Sequence, residues 1–216
     1  MEQSKDSRFM IVLFFLFGMS LFFVIYAEGA DCLVDNKKLE NEAKVTEAPE
    51  YYAVDGTGVP IFYQWDKKWR EKEYANGTMA DSGCGPTCLS MVVVYLKENG
   101  KKTPDRMADF SINNGYIMDG KTAWSMMDQG AEKLGINAKQ IPTDKEKIYK
   151  ELDKGRVLIC SMGPGDFTSS GHFIVIAGYN EDGFIIHDPN SEKNTEKIWT
   201  YEEFYTQIKN IWSYWK

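Results

Sequence analysis

The chain has 216 residues, 43% of them hydrophobic and 14% aromatic, which is enough for one ordinary domain with a substantial core and some extra sequence. Its formal net charge of -7 comes without any basic cluster of the kind that follows phosphate backbones, so nucleic-acid binding is disfavoured.

Phe9 to Ala27, FMIVLFFLFGMSLFFVIYA, is a charge-free run of 19 residues. It is long enough to cross a bilayer, yet it sits at the N-terminus like a signal peptide. Both readings mean export, either as a secreted protein or as one anchored to the outer face of the cytoplasmic membrane. Asp31 before Cys32 argues against a lipoprotein, where a small residue is expected. Residues 28–50, EGADCLVDNKKLENEAKVTEAPE, are rich in charge and lack aromatic residues, which reads as an acidic linker or propeptide. The globular domain is expected over residues 51–216.

VPIFYQWDKKW brings aromatics and a short strand-like alternation, followed by a loop containing Asn76-Gly77. PTCLSMVVVYLKENG then predicts a helix with Pro86 at its first position and Gly100 past its end. Its middle is apolar nearly all round, so it belongs in the core. A second helix is expected over Thr122 to Leu134, closed by Gly135, and a third from the capping pattern Thr143 to Glu146, stopping at Gly155. After Gly155 the period changes. RVLICSM, HFIVIAGY and GFIIHDP are short apolar runs read as strands, the last two joined as a hairpin across Asn180 to Gly183. A fourth helix capped by Thr200, with Glu203 three residues later, leads to the closing IWSYW. Helices first and an antiparallel sheet afterwards make an α+β layout.

Cys84, in GCGPTC, stands just before the first long helix, where unpaired N–H groups and the positive end of the macrodipole favour a thiolate. Position alone leaves a small hydrophobic role open as well. Cys88, one turn inside among apolar residues, reads as a core residue, because an apolar site raises a thiol pKa. Cβ atoms four positions apart on a helix are about 5 to 6 Å apart, beyond disulfide reach. Cys32 and Cys160 pair only if the linker folds back.

A nucleophilic cysteine needs a base, and the chain has two histidines, both in the expected hairpin. His172 follows the loop MGPGDFTSSG, which leaves its ring open to a cleft. His187 has no such loop and reads as structural. Asp188 has a carboxylate to orient the His172 ring, but a tight hairpin leaves it a few residues from the position opposite His172, so a bulge or bend is required. Gln64 is a candidate oxyanion donor beside the Cys84 amide, although a loop Gln is ordinarily polar surface. Zinc is a poor competitor, since the Cys and His spacings fit no common finger. Tyr63, Trp65, Tyr116 and Trp124 are suited to a groove or to the core.

FYQWDKKW, DSGCGPTCLSMVVVYL, SMGPGDFTSSGHFIVIAGY and IIHDPN, in that order, resemble the C39-like cysteine peptidases, a papain-like group related to the bacteriocin-processing peptidase domains. The resemblance runs over roughly residues 58–212. It implies a papain-like fold with Cys84 as nucleophile, His172 as general base, Asp188 as orienting carboxylate and Gln64 in the oxyanion hole. The processing domains are fused to an exporter, and this chain shows neither an exporter nor a nucleotide-binding motif. Gly-Gly leader processing is therefore not expected. The gap from Gln64 to Cys84 is also longer than in those domains, as is usual among the C39-like relatives.

The expected activity is hydrolysis of a peptide or amide bond through a thioester, without a cofactor, by a monomer acting on a peptide, protein or cell-wall peptide. A non-catalytic surface-binding module on the same fold, or acyl transfer through the same thioester, is the alternative.

Overall fold

The computed structural model describes residues 55–216; the N-terminal segment expected over 1–27 and the linker expected over 28–50 lie outside them. Among the described residues no helix is long and apolar enough to cross a membrane. The elements in chain order are β1 (Glu73–Tyr74), β2 (Gly77–Thr78), α1 (Met79–Ser82), α2 (Cys84–Lys97), α3 (Pro104–Asn113), β3 (Ile117–Met118) and β4 (Lys121–Thr122). A 3-10 turn over Trp124–Met126 leads to α4 (Gln129–Lys133), β5 (Asn137–Ile141), α5 (Lys145–Leu152), β6 (Val157–Met162), β7 (His172–Tyr179) and β8 (Phe184–His187). The chain closes with α6 (Glu192–Glu196), β9 (Ile198–Trp199), α7 (Tyr201–Phe204) and β10 (Ile208–Trp215).

Six strands form one sheet in the order β5-β10-β6-β7-β8-β9, every neighbouring pair antiparallel. Both faces of this sheet are covered. Val157, Ile159, Phe173 and Val175 join the core that contains Leu89, Val92 and Val93 of α2, while Leu158, Cys160, Ile174 and Ile176 join Ile148 and Leu152 of α5 and Phe204 of α7. Burial on both faces is why VLICSM and HFIVIA are continuous apolar runs without a polar alternation. Helix α2 is buried from Gly85 to Val94 and again at Leu96, as its all-round apolar sequence requires.

Several local expectations change. Helix α2 begins at Cys84, so Pro86 is its third residue, and its C-cap is Glu98 at φ 51°, ahead of Gly100. The stretch expected as a helix over Thr122 to Leu134 is divided into β4, the 3-10 turn and α4, because Asp128 caps a new helix by accepting from the Gln129 amide at 2.7 Å. Asp144, not Thr143, caps α5 by accepting from the Lys147 amide at 3.0 Å. The Thr200–Glu203 capping box is present, but α7 lasts a single turn. The strand-like alternation around Ile61 forms no strand, and Asn76-Gly77 lies in a tight β1–β2 hairpin in place of a loop. IWSYW belongs to β10, which inserts between β5 and β6.

Candidate active site

Cys84 is the first residue of α2 and partly exposed, with a glycine on each side. Both glycines answer to space. A Cβ on Gly83 would come within 2.4 Å of the Met79 carbonyl oxygen, and one on Gly85 within 2.6 Å of the Thr122 side chain. The first-turn amides of a helix have no intrahelical acceptor, so the Cys84 N–H is available to a ligand. Burial alone would raise the Cys84 pKa. Hydrogen bonding and charge from His172, with the Phe173 and Gly85 amides, outweigh burial and leave it below the ordinary thiol value. Cys88 has no such partners; burial holds its thiol far above the usual value. Burial likewise raises the pKa of Cys160, and Cys84, Cys88 and Cys160 are all unbridged.

His172 opens β7 and is nearly buried. Its Nε2 lies 2.7 Å from Asp188 Oδ1, which leaves Nδ1 as the ring nitrogen for Cys84. Burial lowers the ring pKa, but the bonds to Asp188 and Cys84 raise it more, so the imidazolium is favoured. The two shifts are complementary, as in a thiolate–imidazolium pair.

Of the bulge or bend that the sequence required, the structure has a bulge. Gly178 pairs with Ile185 and Ile176 with Ile186, leaving Ala177 unpaired, after which Val175 opposes His187. Without the extra residue Asp188 would fall in register with Val175; with it, Asp188 falls in register with Ile174 and thus in the same pleat alternation as His172. Asp188 itself is 1% exposed. Its Oδ1 also accepts from the Asn190 amide at 2.9 Å, and its Oδ2 accepts from Asn194 Nδ2 at 2.8 Å.

Gln64 is buried and bracketed by the other two segments. Its backbone N–H donates to the Pro189 carbonyl at 2.8 Å, next to Asp188, and its Nε2 donates to the Ala80 carbonyl at 2.7 Å, four residues before Cys84. An amide nitrogen carries two hydrogens, so one remains for another acceptor. All four sequence-predicted residues therefore gather where the start of α2, the start of β7 and the end of β8 meet.

The same chain matches the sequence model of the Peptidase_C39 like family over residues 57–216. It belongs to that family. No curated protein matches it. Among solved structures it is similar to a Bacillus anthracis protein assigned as a C39-like peptidase, at 16% identity and a TM-score of 0.44, covering 76% of this chain and 97% of that one. It is also similar to the peptidase domain of Streptococcus ComA, a bifunctional ABC transporter involved in a quorum-sensing pathway, at 20% identity and a TM-score of 0.48, covering 62% of this chain and 90% of that one. The architecture is mixed, helices with a six-stranded antiparallel sheet, in agreement with the α+β layout expected from the sequence.

Within this C39-like domain several site neighbours escaped the sequence reading. Asn194, on the short helix α6, has no sequence signal that ties it to Asp188. His187 is a structural residue, fully buried, with Nε2 2.7 Å from Asp55 Oδ2. The expected aromatics divide. Tyr116 is buried in the core, Tyr63 and Trp65 stack at 4.7 Å with Trp65 Nε1 donating to the Asn190 carbonyl, and Trp124 is exposed. The cavity between β5 and α5, lined by lysines and Glu151, contains none of the four site residues.

Proposed function

We propose that this C39-like protein is an exported cysteine peptidase that cleaves a peptide or amide bond through a thioester. The observation that carries the reading is the Asp188–His172–Cys84 chain, in which the ring favours imidazolium and the sulfur thiolate. The Cys84 thiolate attacks the carbonyl carbon, and the resulting oxyanion is held by the Cys84 amide and the second N–H of Gln64. His172 passes its proton to the leaving amine as the C–N bond breaks. Water, deprotonated by His172, then opens the thioester, which releases the acid and restores the thiolate. Asp188 holds the ring in place and stabilises its charge. Export rests on the apolar N-terminal run, and the substrate is a peptide or protein.

A limiting amount of iodoacetamide, followed by peptide mapping of the full chain, is expected to alkylate Cys84 far ahead of Cys88 and Cys160. Cys84→Ala is expected to remain folded and to lose all hydrolysis of a peptide mixture. Preferred labelling of Cys88, or hydrolysis surviving in Cys84→Ala, would assign the chemistry elsewhere.

A further inference from the structure

The β3–β4 hairpin and the turn after it build an open recess of about 510 Å³ from Met118, Asp119, Lys121, Thr122, Ala123 and Trp124. This recess adjoins the nucleophile. Thr122 packs against Gly85, the residue after Cys84, closely enough that a Cβ there would meet it at 2.6 Å. Thr122 is fixed in turn by the Tyr74 hydroxyl, which lies 2.8 Å from both Thr122 Oγ1 and Ser111 Oγ.

Met118 and Trp124 are 63% and 47% exposed, large apolar side chains left in water on one recess while most of their kind are buried. Trp124 is nonetheless packed on one side. Its ring meets Trp212 edge-on at 5.6 Å, and Trp212 packs on Phe173 at 6.4 Å, the residue whose amide bonds the Cys84 sulfur. A positioned, exposed aromatic face loses little entropy when a partner stacks on it. Asp119 and Lys121 contribute opposite charges, so the recess favours neither a cationic nor an anionic side chain.

We propose that this recess is a specificity subsite that receives a large, uncharged apolar side chain of the substrate, seated on Trp124 and Met118 beside the scissile bond. The inference rests on the peptidase reading and narrows it. The substrate class is a protein or peptide with a bulky apolar or aromatic residue at a fixed position from the cut, as opposed to a wall peptide of small residues.

The test uses the full chain with a diverse peptide mixture and mass spectrometry of the products, with Cys84→Ala as the blank. Expected is a set of cut sites sharing a large apolar residue at one position. Trp124→Ala is expected to lower kcat/KM for those peptides by about tenfold or more, chiefly through KM, and to relax the preference at that position. Met118→Lys, on a side chain that is mostly exposed, is expected to do the same and covers the case in which Trp124→Ala misfolds. Iodoacetamide reaction at Cys84 reports an intact site in each variant. Cut sites with no shared apolar position, or an unaltered preference in both variants, would overturn the subsite while leaving the peptidase reading standing. No cleavage above the Cys84→Ala blank would overturn both.

Discussion

Asp188 Oδ1 meets His172 Nε2 at 2.7 Å between two nearly buried side chains, and the charge it supplies is among the reasons that the imidazolium persists there. With the His172 pKa raised and the Cys84 pKa lowered, the ion pair exists between the two, and kcat/KM is expected to follow a bell in pH. The acid limb reports protonation of the thiolate, and the alkaline limb reports loss of the imidazolium. Asp188→Asn keeps an acceptor but removes the charge that raises the ring, so the alkaline limb should move to lower pH with measurable activity remaining. A limb that coincides with the parent would reduce Asp188 to a turn residue. Gln64→Ala should lower kcat by about 10² to 10³-fold with a smaller effect on KM, since the oxyanion develops after binding. Equal kcat in the two proteins would take Gln64 out of the mechanism.

Helix α6 is five residues long and has no buried residue, so its own packing explains little of its presence. It is fastened at both ends. Ser191 caps it through the Asn194 amide at 3.1 Å, and Trp199 Nε1 donates to the Asn194 carbonyl at 2.9 Å. What it delivers is the Asn194 side-chain donor to Asp188 Oδ2, with the Thr195 hydroxyl accepting from the Asp188 amide at 3.0 Å. Asn194→Ala should lower kcat by about ten- to a hundredfold and leave KM nearly unchanged, because Asp188 keeps its charge and loses its fixed direction. Steady-state kinetics on peptides cut by the parent would show this. A change confined to KM, or to thermal stability, would mark α6 as a connector.

Across the whole molecule, the sheet is tied to its outer helix layer by one buried carboxylate. Glu151 of α5 accepts from Lys139 of β5, Lys154, Arg156 and the Ser213 hydroxyl of β10. Burial would raise its pKa, but these donors hold it well below the ordinary value of 4.5. A depressed carboxylate pKa contributes stability that is present above the unfolded value and lost as pH falls toward the folded one. Glu151→Gln should therefore cost roughly 2 kcal/mol in denaturant unfolding at pH 7, with Lys139 and Lys154 partly solvated and so recovering some of the loss. The gap between parent and variant should narrow as pH drops below about 4.5. A gap that is constant with pH would show that Glu151 acts through packing and not through charge.

Strands β6, β7 and β8, the buried helix α2 and the residue types of the site are legible in the local sequence. Those segments carry their information locally: continuous apolar runs bounded by Gly and Asp, and a cysteine flanked by glycines where a helix begins. The sequence also calls for a bulge or a bend, because hairpin arithmetic alone leaves Asp188 out of reach of His172, and the structure has the bulge. Helix α3 went unread although Thr103-Pro104 opens it, since its buried Met107, Ala108 and Ser111 make only a weak apolar stripe. Strands β5 and β10 were missed for a related reason. NAKQI is largely exposed at the sheet edge, and IKNIWSYW becomes a strand by inserting between β5 and β6, partners far away in the chain. That Asn194 supports Asp188, that His187 pairs with Asp55, and that Thr122 comes against Gly85 beside Cys84 is set by the three-dimensional packing alone. Those contacts join residues with no shared period or spacing, so nothing in the local sequence records them, and they exist because burial of the two cores fixes the elements that carry them.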